Sequence, residues 1–366
     1  MVTTFPGVYV DEPAGPPPIP PVDVATAALI GEAQDGPFTP QRIGSVAAFQ
    51  ALYRGSLAHP LGPHDLSPAV HGFFANGRDS VVVLRMATPM SQQALISALR
   101  HLSGAEGDAI SLLHAPGAGA ALVGVVAEHA EAHAQLVVAD APRDIEASFD
   151  PAQTQPPYPA SSRIALYAPW FAIHTGAGGE RVVPPGGHVL GAMVRSTRDR
   201  GVHKAPANVE LRGVARLDRL FSDLEQAALN PRGVDLIRDF AGRGTLIWGA
   251  RTLQRDGELK FIAVRRTLDF LQRSLQRGTQ WVVFEPNGEP LWQRLRASVH
   301  AFLLTQWRDG VLLGDKPEHA FYVRCDRSTM TADDIDHGRL ICEIAVALVR
   351  PAEFLLLRVT HPTRVG

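Results

Sequence analysis

Three sets of residues in this 366-residue chain have types and spacings that chemistry could use. Gly117, Gly119 and Gly124 lie between an apolar segment and a helical pattern. Asp140 closes the next apolar segment about twenty residues on, the order a dinucleotide site uses: glycines admit a pyrophosphate and a carboxylate takes ribose hydroxyls. Leu122 stands where the third glycine belongs, however, and Pro116 with Gly117 already explains a tight strand-to-helix turn. A dinucleotide-binding α/β enzyme using the Gly117 to Gly124 loop is therefore the second reading. His129 and His133, one helical turn apart, could turn two imidazoles towards a metal. Glu131 points elsewhere on that helix and no third ligand can be named, so a solvated polar face is the better reading. His59, His64 and His71 occupy a loop-rich stretch without triad or ligand spacing. Cys325 and Cys342 lack C-x-x-C spacing and read as buried free thiols rather than a zinc site. The chain has no P-loop. No catalytic residue, cofactor or metal is expected.

Composition bounds the remaining classes. The length admits two domains with substantial cores, and 45% apolar with 20% charged residues is ordinary for a globular protein. Neither a membrane span of ~20 apolar residues nor a secretory leader is evident, so no direct membrane insertion and a cytoplasmic site of assembly are expected. The net charge of −2 conceals an asymmetry: residues 1–180 hold 7 Lys/Arg against 16 Asp/Glu, and 181–366 hold 28 against 21. Opposite-signed halves suit self-association as well as plain solvation.

The elements that must position these residues follow from periodicity. Residues 1–24 read as an arm, with an alternating Val8, Tyr9 and Val10 before Pro13, Pro16 to Pro18, Pro20 and Pro21. Such prolines hold an extended backbone, and the arm could reach roughly 80 Å at ~3.3 Å per residue. Strands are expected at Ala27 to Ile30, Ser80 to Met86, Ala109 to Leu113, Leu136 to Ala139 and Arg163 to Tyr167. Helices are expected at Val46 to Tyr53, Gln92 to Leu102 and Ala120 to Ala134, a β-α-β succession with parallel strands. Gly176 to Gly187 reads as a loop or hairpin tip, and Val189 to Arg195 as a strand before a basic segment, Arg195 to Lys204. That segment lacks the interleaved aromatics of a nucleic-acid site, so no nucleic acid is expected. Asn230 and Pro231 mark the chosen domain boundary. Beyond it come a helix Val234 to Phe240, strands Thr245 to Trp248 and Phe321 to Cys325, and a helix Ala332 to Asp336 capped by Thr331. A long strand Arg339 to Val349 and a last one, Glu353 to Thr360, complete the chain.

The segment RGTQWVVFEPNGEPLW, from Arg277 to Trp292, organises this second half. Gly278 stops a helix carrying Val264, Leu268, Leu271 and Leu275; Trp281 to Phe284 reads as a buried strand; Pro286 to Gly288 turn the chain. Pro290 then opens a helix with Trp292, Leu295, Val299, Phe302 and Leu303 inward. With WGARTL at Trp248 to Leu253, RCDRSTMT and GRLICEIAVALVRPAEF running to Phe354, and FPGVYVDE near Met1, the segment resembles the contractile tail sheath family. The middle of the chain resembles it more loosely, through PPGGHVLGAMVRSTRDRGVHKAPAN.

The resemblance implies an α/β (α+β), two-domain sheath subunit with extended N- and C-terminal β-strand arms: an arm at 1–24, an outer domain at 25–230, an inner sheath domain at 231–350 and a strand arm at 351–366. It implies a non-enzymatic subunit that stacks as hexameric rings around an inner tube and contracts from a metastable extended state, driving the tube through a target envelope. Intersubunit strand pairing would fall to Val8, Tyr9, Val10, Phe354, Leu355, Leu356, Leu357 and Val359. Tube contact is assigned to a charged helix, either Arg265, Arg266, Arg273 and Arg277 or Asp333 and Asp334, because contacts that must release suit exposed, salt-sensitive charge. Partners would be further copies of the chain, the inner tube protein, and baseplate and terminator or cap proteins.

Overall fold

The computed structural model describes residues 16–58, 61–102, 109–145, 157–176, 178–351 and 353. These fall into two compact units, one built from described residues of 22–271 with 348–351 and 353, the other from 272–347 with 16–21.

In chain order the larger unit holds β1 (Ala27–Glu32), β2 (Gln41–Ile43), α1 (Val46–Tyr53), α2 (Leu66–Asn76), β3 (Val81–Met86), α3 (Gln92–Leu99), β4 (Leu112–His114), α4 (Ala120–Ala132), β5 (Leu136–Asp140) and β6 (Ile164–Ala168). It continues with β7 (Phe171–His174), β8 (Glu180–Val183), α5 (Gly186–Arg200), β9 (Val209–Glu210), β10 (Arg216–Leu217), α6 (Asp223–Leu229), β11 (Val234–Phe240), β12 (Gly244–Ile247) and the start of α7 (Ile262–Gly278).

Runs such as Val81 to Leu84 are apolar on both sides, and as strands they must be covered on both faces. They form the centre of a nine-stranded sheet ordered β2-β3-β1-β4-β5-β6-β11-β12-β9. The six strands from β3 to β11 are mutually parallel, with Ala27 opposite both Val81 and Leu112, and Val234 opposite Leu166. Antiparallel strands finish each edge. Because side chains alternate across a strand, Leu29, Val83, Val138 and Tyr167 face one helical layer with Phe73, Val189 and Met193. Ile30, Val82, Val137 and Leu166 face the other, with Leu95, Val123 and Val126. A small antiparallel sheet, β10-β7-β8, lies beside this three-layer α/β arrangement.

Several expectations require correction. Val189 to Arg195 is no strand but the middle of α5, whose residues Gly186 to Ser196 are all buried. A Cβ on Gly187 would sit 2.4 Å from Ala69 Cα, and one on Gly191 2.4 Å from Phe73 O, so the glycines are what let α5 lie against α2. Val234 to Phe240 is no helix but β11, since Val234 and Leu236 alternate with Asp235 and Ile237 between the two sheet faces. Asn230 and Pro231 belong to a 3-10 turn leading directly into that strand, and the sheet continues past them.

The smaller unit holds a 3-10 turn at Gln280–Val282, α8 (Glu289–Arg308), α9 (Pro317–Ala320), β13 (Phe321–Arg324), α10 (Ala332–Asp336) and β14 (Glu343–Val346). α8 follows the expected pattern, with Pro290 in its first turn and Trp292, Leu295, Val299, Phe302 and Leu303 buried. The strand expected at Trp281 to Phe284 is absent: the 3-10 turn takes its place, and Phe284 is wholly exposed in a left-handed conformation. The long strand expected at Arg339 to Val349 contracts to β14, antiparallel to β13. Of the last expected strand, only Glu353 belongs to the described residues.

Candidate functional site

The glycine loop after β4 is a structural clasp. Gly117 takes a φ of +58°, and its N–H donates to Asp140 Oδ2 at 2.8 Å. The other oxygen, Oδ1, accepts the Gly186 N–H at 2.7 Å, so this carboxylate tethers the start of α5. His114 Nε2 lies 3.7 Å from the same group, and a Cβ on Gly186 would strike the His114 ring at 2.1 Å. Asp140 is fully buried, which pushes its carboxyl up, against the pull of His114 and the two N–H groups. It is closed off from any ribose, and the dinucleotide reading has no support.

His129 and His133 stack at 4.1 Å, and His133 Nδ1 is paired with the His129 carbonyl. Burial, with His133 beside it, brings His129 down to about 4. Among the described residues no group of three or more His, Cys, Asp or Glu is placed to hold a metal ion. His64 is paired with the Pro116 carbonyl, while His71 lies near His188; His59 falls outside the described residues.

The charged residues sort by burial. Arg265 and Arg266 lie on α7 and are 6% and 4% exposed. Arg265 binds Asp269 through both prongs, the nearer at 2.6 Å, and Asp269 also receives Arg163 Nη1 at 2.6 Å. Arg163 turns its Nε to Glu131. Arg266 donates to the Val24 carbonyl at 2.7 Å and to Thr197 Oγ1 at 2.9 Å, and burial lowers it to about 10. These two guanidiniums are therefore engaged inside the subunit. Arg273 lies on the same helix, and Arg277, in its last turn, is exposed. The basic segment from Arg195 is likewise engaged: Arg195 donates to the Asn76 carbonyl, and Arg198 bridges Asp23 and Asp79.

Asp333 and Asp334 stand in the first turn of α10, where Thr331 and Asp334 form a reciprocal cap. Hydrogen bonds from Thr331, followed by Arg339, hold Asp334 well below the carboxylate range. The Asp333 side chain is 67% exposed and meets Arg339 and His337.

All eight expected strand-pairing residues lie outside the described residues, but the roots of both arms are visible. Near the N-terminus, Ile19 is buried against Gly278, where a Cβ would come within 2.5 Å of its Cγ2. Asp23 accepts the Ala25 N–H and Arg198, and Arg266 holds the Val24 carbonyl. Near the C-terminus Glu353 accepts two donors from Arg251, with Nε at 2.9 Å, and Arg350 pairs with Glu258. Arg251 is itself positioned by its N–H donating to the buried Asp235. Sequence reasoning missed these anchors. Arg251 and Glu353 lie within the WGARTL and PAEF motifs, the only local signal for them; their pairing spans 102 residues.

Comparison with known proteins then places the fold. The phage tail sheath central domain matches residues 91–253, and the phage tail sheath C-terminal domain matches 254–361. The tail sheath protein of Burkholderia phage BcepMu is 27% identical over 216 residues, 56% of this chain and 43% of that protein. That of Vibrio phage KVP40 is 26% identical over 181 residues, covering 48% of this chain and 26% of its own length. The alignments thus span less than half of either phage protein. Among solved structures, the anti-feeding prophage helical sheath in its contracted state superposes with a TM-score of 0.80 at 28% identity, covering 99% of this chain and 100% of that one. The sheath of an extracellular contractile injection system, PVC, also contracted, gives 0.79 at 28% identity with 99% of both chains covered. With two successive sheath domains matched from residue 91 to 361 and the same fold along its length, the chain belongs to the contractile tail sheath family.

Proposed function

We propose that this chain is the structural subunit of a contractile sheath, self-assembling as stacked hexameric rings around an inner tube and contracting from a metastable extended state. The observation that carries the reading is the anchoring of both chain ends: Arg266 and Arg198 hold the N-terminal root and Arg251 holds the C-terminal one. These anchors, at Asp23, Val24 and Glu353, lie within the expected arms at 1–24 and 351–366. An arm fixed at its root and apolar at its tip is suited to strand addition on a neighbouring copy, where backbone hydrogen bonds give affinity and Val8, Val10, Phe354 and Leu356 or their alternates fill pockets. The smaller unit offers a two-stranded ladder, β13-β14, as receiver, since two strands leave edges to pair.

Such links let folded bodies repack without separating. The drive for contraction then resides in interfaces between subunits, with a kinetic barrier holding the extended state, and needs no nucleotide. Of the residues assigned to tube contact, Arg265 and Arg266 are committed within the subunit, which favours Arg277 and the α10 turn with Asp333. The partners are the inner tube protein and baseplate and terminator proteins. Assembly is assigned to the cytoplasm, with the product a phage virion or a phage tail-like particle. Sedimentation of the chain with and without its tube protein tests the reading: large particles containing both proteins are expected, and a small species under both conditions contradicts it.

A further inference from the structure

The two cysteines lie across the β13-β14 ladder from one another. The ladder pairs Phe321 with Val346 and ends at Arg324 opposite Glu343, so the next residues out, Cys325 and Cys342, face each other. The Ala347 N–H donates to the Ala320 carbonyl at 2.8 Å, which marks that pair as hydrogen-bonded. Alternation along the ladder then puts Phe321–Val346, Val323–Ile344 and Cys325–Cys342 at non-hydrogen-bonded sites. There Cα atoms approach to about 4.5 Å, inside the span of roughly 4.4–6.8 Å that a disulfide bridges. Tyr322 and Arg324 bind Glu343 on the exposed face, leaving the cysteines on the opposite face with the buried Phe321. Both are free thiols.

We infer that Cys325 and Cys342 are a redox-modification site, a dithiol that closes to a cross-strand disulfide on reaction with a small-molecule disulfide such as oxidised glutathione. Cys325 is 2% exposed whereas Cys342 is partly open, so exchange begins at Cys342. The Cys342 thiol, losing its proton to solvent, attacks one glutathione sulfur, forming a mixed disulfide and releasing one glutathione thiolate. Cys325, its proton given up to solvent, attacks the Cys342 sulfur and expels the second glutathione. Two protein thiols and one glutathione disulfide thus become one protein disulfide and two glutathione thiols. The bond closes the loop of residues 326–341, which carries α10, and ties the end of β13 to the start of β14. This inference does not depend on the assembly reading, since it concerns chemistry within one chain.

The test incubates the purified full-length chain with oxidised glutathione over a range of ratios to reduced glutathione, followed by thiol counting and mass spectrometry of a non-reduced tryptic digest. The expected result is a fall from two free thiols to none, a mass lower by two hydrogens, and a linked pair of fragments, 325–327 with 340–358, that separates on reduction. Cys342→Ser, a change at the partly open position, should abolish the link while leaving the thermal midpoint of the reduced protein near that of the parent. Stable glutathione adducts, links between chains, or two unreacted thiols in a folded protein would each overturn the proposal.

Discussion

Arg251 grips Glu353 with two nitrogens across 102 residues of sequence, fixing the chain where its last segment departs. The pair is only 15% and 20% exposed at its side chains, so it is better shielded than a typical surface ion pair. Replacing Glu353 with Gln should cost about 1 kcal/mol of folding stability, because the amide oxygen still accepts from Arg251 while the charge is lost. Its effect on assembly should be larger, because the arm loses its fixed starting point. Parallel denaturant unfolding and particle yield separate the two effects. A yield unchanged by Glu353→Gln would contradict the anchoring role.

The Arg163–Asp269–Arg265 cluster behaves differently because it is dry. Asp269 is 4% exposed; burial pushes its carboxyl up while Arg265 and Arg163 pull it back. Asp269→Ala would leave the buried Arg265 without its carboxylate and Arg163 with Glu131 alone, at a cost of about 3–5 kcal/mol. Urea denaturation of the isolated chain measures this, and a loss under 1 kcal/mol would show that water enters the site.

Acid should weaken the larger unit through His188. Its ring lies edge-on to Phe171 at 4.8 Å, and its Nδ1 has no partner among the described residues. Burial, with His71 close by, lowers it from 6.5 to about 3. The unfolded chain therefore binds a proton that the folded one refuses. Stability from this residue is complete above pH 6.5 and declines as pH falls towards 3, by up to about 1.4 kcal/mol per unit. In a series of thermal midpoints across that window, His188→Gln should flatten the slope.

The contact of α2 with α5 sets a steric limit. Gly191→Ala places a methyl carbon 2.4 Å from the Phe73 carbonyl, and the helices must separate to admit it. A cost of about 1–3 kcal/mol is expected, read from the unfolding midpoint. Gly119→Ala, where nothing lies within 4 Å, is the control and should change little.

The parallel sheet was legible in the sequence because its strands are short apolar runs separated by helical patterns, as at Val81 to Met86 and Leu136 to Asp140. α5 was not. A helix buried on nearly every side carries no polar stripe, so Val189 to Val194 looks the same as a buried strand. Val234 to Phe240 is the reverse case: Asp235 interrupts its apolar residues in the sequence, yet it is buried and accepts the Arg251 N–H. Trp281 to Phe284 misled by composition: Val283 and Phe284 are exposed in the isolated chain, so their apolar character did not signal a strand in its core. Of the candidate site, the sequence pointed to charged residues, but whether an arginine meets solvent depends on remote partners. Arg266 finds the Val24 carbonyl 242 positions away, and no local pattern encodes that.

The most direct test of the assembly account is negative-stain electron microscopy of the full-length chain beside a version lacking residues 1–21, each with the inner tube protein supplied. The account predicts tube-filled cylinders from the first, and soluble, folded subunits without cylinders from the second. Cylinders of equal length and number from both would contradict it, because the arm would then link nothing.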